Sequence, residues 1–138
     1  MKLELINFLK ELNALHSGRL IEQNINNYVE KVYKLATIHE IKKDGKIIAF
    51  IAYYDNDKKR NTAFLSILAI HTKFQNLGYG KLLLNEAVEN LKQNNFERFD
   101  LEVLKSNIKA IKLYKKNGFQ IIGEIGDKYK MRKLIQKC

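Results

Sequence analysis

Apolar residues at Leu5, Phe8, Leu9, Leu12 and Leu15 recur at helical spacing, which predicts an amphipathic helix from Leu5 to about Leu15. After the Ser17-Gly18 break, Leu20, Ile21, Ile25, Tyr28, Val29, Val32 and Tyr33 predict a second helix that ends near Leu35. The period then shortens. Ile38 to Lys42 reads as a strand, Asp44-Gly45 as a turn and Lys46 to Tyr54 as a second strand, so the three form a hairpin. Beyond the polar turn from Asp55 to Asn61, the run from Ala63 to His71 is almost continuously apolar, the pattern of a central strand covered on both faces.

A turn bearing Gly78 and Gly80 leads into a predicted helix from about Tyr79 to Gln93, with Leu82, Leu83, Ala87, Val88 and Leu91 as its inner stripe. Phe99, Leu101 and Val103 alternate with Asp100 and Glu102, the signature of a half-buried strand to Leu104. Ser106-Asn107 supplies a cap for a short helix from Ile108 to Asn117, which Gly118 stops. Phe119 to Gly123 and Lys128 to Ile135 are the last two strands. A strand-rich middle covered by helices on both sides argues for an α/β sandwich around a mixed sheet.

At 138 residues the chain suits one domain, 1–138, with one hydrophobic core. Hydrophobic residues make up 46% and charged residues 29%, the balance of a folded globular protein rather than a disordered one. No stretch reaches the ~20 uninterrupted apolar residues of a membrane span, and Met1-Lys2-Leu3-Glu4 does not open a secretory signal. Cys138 is the only cysteine, so no internal disulfide and no thiolate metal cluster form. A cytoplasmic protein without a structural metal or a membrane partner is expected. The net charge is +10, which attracts polyanions of several kinds. The lysines are scattered, however, with no helix-turn-helix or zinc-finger spacing, so a nucleic-acid partner is not expected.

The candidate chemistry begins at Gln75-Asn76-Leu77-Gly78-Tyr79-Gly80-Lys81, between the central strand and a helix. Backbone N–H groups and the positive end of a helix dipole converge there. Gly78 and Gly80 permit positive φ and close backbone approach, and Lys81 adds a full charge. Such a turn holds phosphate or is plain turn chemistry. The missing Gly-Lys-Ser/Thr ending weakens a P-loop reading, and the missing third glycine and later acidic partner weaken a dinucleotide turn.

Read together, Leu68-Ala69-Ile70-His71 and Gln75-x-x-Gly78-x-Gly80 resemble the acetyl-CoA-binding motif of the GNAT family of N-acetyltransferases. The segment from Leu101 to Phe119, with Ser106-Asn107 and Leu113-Tyr114, resembles that family's other signature, in the style of the ribosomal-protein N-terminal alanine acetyltransferases. The likeness covers about Glu40 to Lys133. It implies a mixed, mostly antiparallel sheet flanked by helices on both faces, and transfer of acetyl from acetyl-CoA to a primary amine by direct attack in a ternary complex. It also implies that the central strand splays from its neighbour, freeing the backbone of Leu68, Ala69 and Ile70 for the pantetheine arm. The amides of Gln75, Asn76, Leu77, Gly78, Tyr79, Gly80 and Lys81 would then hold the pyrophosphate. Asn107 matches the position that contacts the cofactor, and Tyr114 the one whose hydroxyl protonates the departing thiolate.

Glu102 falls where the N-terminal acetyltransferases carry their general base. Its residue-level alternative is a solvated or lysine-paired carboxylate. Histone-type members place the base early on the central strand, where this chain has Phe64, so that route is absent. His71 has the right intrinsic pKa, ~6.5, but follows the pantetheine stretch and stays outside the catalytic set. The two opening helices replace the strand with which the family usually begins, and they should shape the acceptor pocket, with Tyr28, Tyr33, Tyr53 and Tyr54 as lining or packing. An amino sugar, a polyamine, a free amino acid or a protein N-terminus is a candidate acceptor, and the net positive charge argues against a polycationic one and for an anionic one. A non-catalytic acyl-CoA sensor and a basic nucleic-acid binder are the competing classes, and either monomer or homodimer fits.

Overall fold

The computed structural model describes residues 2–15 and 24–135, with the side chains of 14 and 15 excepted. The predicted Ser17-Gly18 break, Leu20, Ile21 and Cys138 lie outside the described residues, as does the side chain of Leu15. Helix α1 spans Lys2–Leu15 and buries Leu5, Phe8, Leu9 and Leu12. Helix α2 spans Ile25–Leu35 and buries Tyr28, Val29 and Val32. Its start is set by Asn24, whose side chain accepts the Asn27 N–H at 3.1 Å, satisfying one of the free donors of the first turn.

Strands β1 (Thr37–Lys43) and β2 (Lys46–Tyr54) form the expected hairpin. Asp44 and Gly45 both adopt positive φ, 52° and 76°, the geometry whose twist matches that of paired strands. Strand β3 (Thr62–Ile70), helix α3 (Tyr79–Gln93), strand β4 (Arg98–Leu104), helix α4 (Ile108–Lys116) and strands β5 (Gln120–Ile125) and β6 (Lys128–Leu134) follow. The sheet order is β1-β2-β3-β4-β6-β5. Every neighbouring pair is antiparallel except β3–β4, so the sheet is the mixed, mostly antiparallel one expected.

Two apolar clusters sandwich the sheet. One joins Leu83, Leu84, Ala87 and Leu91 of α3 and Ile111 and Tyr114 of α4 to Ala49, Ile51, Phe99, Leu101 and Met131. The other joins Phe8, Leu9 and Leu12 of α1 and Tyr28, Val29 and Val32 of α2 to Phe50, Ala52, Ile67 and Ala69. The strand buried along almost its whole length is therefore β2, whereas β3 alternates between buried and more open positions. The expectation that β3 is covered on both faces is corrected. Its central place comes from strand order, and its apolar even positions turn towards open grooves. On α3 the inner stripe includes Leu84, while Leu82 is 47% exposed. Two positions apart, the two residues point about 200° from each other around the helix. Strand β5 runs to Ile125, past the expected end at Gly123, because Glu124 and Ile125 pair with Tyr129 and Lys128.

Candidate active site

The site originates in a departure from regular strand pairing. Between β2 and β3 the register steps from Ala52↔Ile67 to Tyr53↔Leu65, so Ser66 is an extra residue, a β-bulge. Ala63 and Leu65 point into the α3/α4 cluster, whereas Ile67 and Ala69 belong to the α1/α2 cluster. The bulge therefore reverses the alternation of β3 and turns Leu68 and Ile70 towards α3 and α4, where they pack partly buried.

On its other edge, β3 pairs with β4 only at Thr62↔Arg98, Ala63↔Phe99 and Phe64↔Asp100. Beyond Phe64 the two strands part, as the family resemblance implies. A cleft of about 500 Å³ opens there, lined by Leu68, Ala69 and Ile70 and floored by α4.

At the far end of β3, Thr72–Phe74 form a single 3₁₀ turn. Gln75, Asn76, Gly78, Tyr79, Gly80 and Lys81 then line the cleft. The Leu82 N–H is the first to bond within the helix, to the Gly78 carbonyl at 3.1 Å. The first-turn amides before it have no acceptor inside the helix and are donors for an anion. Asn76 and Gly78 take positive φ, 64° and 91°. Gly80 does not; it is a helical residue at which an added Cβ would stand 3.0 Å from Leu113 Cδ2 and 3.2 Å from Ile70 Cδ1. Its missing side chain lets α3 approach α4 and β3. Leu77 is 63% exposed and lies off the cleft. Along β3 the Ile70 carbonyl is engaged: Gln75 Nε2 donates to it at 3.2 Å, and Lys109 Nζ donates to Gln75 Oε1 at 2.8 Å.

Asn107 caps α4, its side chain accepting the Ala110 N–H at 3.2 Å, and also borders the cleft. Tyr114 is buried, packs edge-on against Phe119 and borders the same cleft. Burial holds its phenol well above the usual range, so the hydroxyl keeps its proton. Three cations escaped the sequence reading: Lys109, Lys112 and Lys116 of α4 also face the cleft. Their spacing of three and four residues was the available signal.

Glu102 is exposed on the opposite face of β4, off this cleft, across the ladder from Lys130. Two residues back, Asp100 accepts a forked pair from Arg132, 2.8 and 2.9 Å. That pair floors a second cleft of about 470 Å³, bordered by Lys31, Tyr54, Arg60 and Phe64 among others. Among the expected tyrosines, Tyr54 borders this cleft and Tyr33 packs partly buried against the α1/α2 cluster. Tyr53 is fully buried on the α3 side, where it accepts from Asn90 Nδ2 at 2.8 Å and meets His39 Nε2 at 2.7 Å. The Tyr28 hydroxyl lies 2.6 Å from Ser66 Oγ. His71 is already employed. Its Nδ1 accepts the Lys73 N–H at 3.2 Å, which leaves the ring proton on Nε2 to donate to Glu11 at 3.1 Å.

The sequence pattern described as the acetyltransferase (GNAT) family matches residues 6–119. The chain is 31% identical over 100 residues to the spermine/spermidine N(1)-acetyltransferase of Bacillus subtilis strain 168, a match spanning 66% of each chain, just under two thirds of the relative's length. In fold it is similar to an acetyltransferase of the GNAT family from Staphylococcus aureus Mu50 (TM-score 0.81, 21% identity, 98% of this chain and 93% of that one). It is likewise similar to the PaiA N-acetyltransferase of Thermoplasma acidophilum, solved with coenzyme A (TM-score 0.78, 22% identity, 96% and 92%).

Proposed function

Since the chain belongs to the acetyltransferase (GNAT) family, we propose that it transfers the acetyl group of acetyl-CoA to a primary amine by direct attack within a ternary complex. The observation that carries this reading is the parting of β3 from β4 beyond Phe64, which opens a strand edge between a turn of unpaired amides and the buried Tyr114 hydroxyl. Acetyl-CoA would supply the activated thioester. Its chemistry fits the residues present: N–H donors of the α3 first turn and four lysines for phosphates, and strand edge for an amide-bearing arm.

Tyr114 acts on the sulfur side. Because its phenol lies above its ordinary value, net transfer of its proton to a thiolate of ordinary basicity, near ~8.5 by comparison with cysteine, runs uphill. Its contribution is a hydrogen bond to the charge that develops on sulfur, with the proton passing late. Glu102 acts on the amine side, taking the proton that nitrogen loses. Asn107 fixes the start of α4, and through it the direction of Tyr114 about two turns on.

The acceptor is a small-molecule amine such as an amino sugar, or a protein N-terminus. The relative's name favours a polyamine such as spermidine as a further class to test, against the expectation drawn from net charge. Calorimetric titration with acetyl-CoA, followed by thiol release with spermidine, glucosamine, lysine and an alanine-initiated tetrapeptide, tests the reading. Binding followed by release with one amine class is the expected result. Binding without release from any acceptor would leave an acyl-CoA sensor, and absence of binding would overturn the assignment of the cleft.

A further inference from the structure

The bulge that re-aims Leu68 and Ile70 also fixes where Ser66 sits. Phe64 and Ser66 lie on the same face of β3, opposite Ala63 and Leu65, and Ser66 meets Tyr28 of α2 there. On β4, Asp100 and Glu102 occupy the corresponding face, opposite Phe99, Leu101 and Val103. Phe64 is paired with Asp100. Beyond this last pair the strands part, and Ser66 on β3 and Glu102 on β4 follow on that same face, one on each side of the gap. Tyr28 is 6% exposed and held within the α1/α2 cluster, so the position of its hydroxyl is set by packing.

We propose that Ser66, held by Tyr28, is the second wall of the amine's approach, accepting one N–H of the incoming amine while Glu102 accepts the other. The proposal rests on the acetyl-transfer reading above. A neutral primary amine has two N–H groups and one lone pair. With one N–H turned to each wall, the lone pair is directed into the gap between β3 and β4, where the reacting carbonyl must lie for the Tyr114 side to receive the sulfur. With the Tyr28 O–H donated to Ser66 Oγ, that oxygen retains an acceptor lone pair. Ser66 and Tyr28 thus orient the nucleophile, and the proton itself leaves towards Glu102. A secondary amine has a single N–H and loses one wall, so the site should discriminate by the number of N–H groups and not only by size.

The test uses the four panel amines and their N-methylated forms. In the wild-type protein, kcat/KM for the primary amine that is consumed fastest should exceed that for its N-methyl form. Ser66→Ala should reduce this preference at least tenfold while changing acetyl-CoA affinity less than twofold. Ser66→Thr, which keeps the hydroxyl, should restore the preference. Tyr28→Phe should reproduce part of the loss, and provides the measurement if Ser66→Ala does not fold. Equal loss for both forms of the amine, with the preference intact, would show that Ser66 only shapes the strand and would overturn the proposal. If the wild-type protein acetylates none of the amines, the acetyl-transfer reading fails separately. Titrating spermidine and glucosamine into the CoA-saturated protein then decides: at least tenfold weaker binding in Ser66→Ala sustains the positioning role, and equal affinity or no binding removes it.

Discussion

The cleft on the α3/α4 side takes most of its wall from two contiguous segments, residues 68–81 and 107–116. The cleft on the α2 side collects Lys31, Tyr54, Arg60, Phe64, Asp100 and Arg132 from α2, β2, the β2–β3 turn, β3, β4 and β6. The first depends on helix starts, a left-handed turn and a strand edge, all of them backbone features that a short stretch of chain specifies. The second depends on side chains that meet only when distant elements pack. A site that recognises a constant ligand through backbone can keep its form while the opposite face changes its acceptor, because few of the residues on one side are needed on the other.

The comparison is tested most sharply by separating chemistry from binding. Tyr114→Phe should leave acetyl-CoA affinity within about threefold but lower kcat by about 10²–10³, since it removes only the proton donor to sulfur. A loss of affinity instead, read by calorimetry beside steady-state rates, would make Tyr114 a packing residue. Glu102→Gln should lower kcat/KM for the amine by about 10–100-fold with acetyl-CoA binding unchanged, because Glu102 lies on the other face of β4. A matching fall in acetyl-CoA affinity would mean that the two sides are not independent.

The next effect is on stability and concerns the α2 side. Burial pushes the Tyr28 phenol up to about 12, against an ordinary value near 10. The folded state thus holds this proton more tightly than the unfolded chain. Its stabilising contribution is complete below pH 10 and is lost as pH rises towards 12, on the order of 2 kcal/mol. Denaturant unfolding between pH 9 and 12 should therefore show falling stability, and Tyr28→Phe should flatten the curve. An unchanged slope would place the alkaline loss elsewhere, with Tyr53, also pushed up to about 12, the next variant. The smallest effect is expected at the cleft rim. Lys112→Ala should weaken acetyl-CoA binding about two- to fivefold and reduce its salt dependence, as a partly screened charge does. No change in the salt slope would take Lys112 out of phosphate contact.

Much of this architecture was legible because its signals are local. The hairpin at Asp44-Gly45, the cap at Asn107 and the helix that follows Gly78 each need only neighbouring residues to state their geometry, and all three stand where they were read. Errors arose where the partner decided. Leu82 and Leu84 are equally apolar, and only the direction from which the core approaches α3 chose Leu84. Gly80 reads like Gly78 in the sequence, yet one tolerates a helix crossing and the other a left-handed backbone. The three lysines of α4 were visible as charges, but not as a set facing one cleft.

The sequence by itself determined the order and type of the elements, the turn of unpaired amides and the tyrosine set into α4, because hydrogen bonding and hydrophobic period act over a few residues. Only the tertiary structure decided which side of β3 each apolar residue faces. One unpaired residue, Ser66, reverses the alternation there, and a bulge exists only by reference to the strand beside it. Register is a relation between chains of atoms distant in sequence, so the facing of Leu68 and Ile70 to one cleft, and of Ser66 to Tyr28 on the other side, had to await the pairing of β2 with β3.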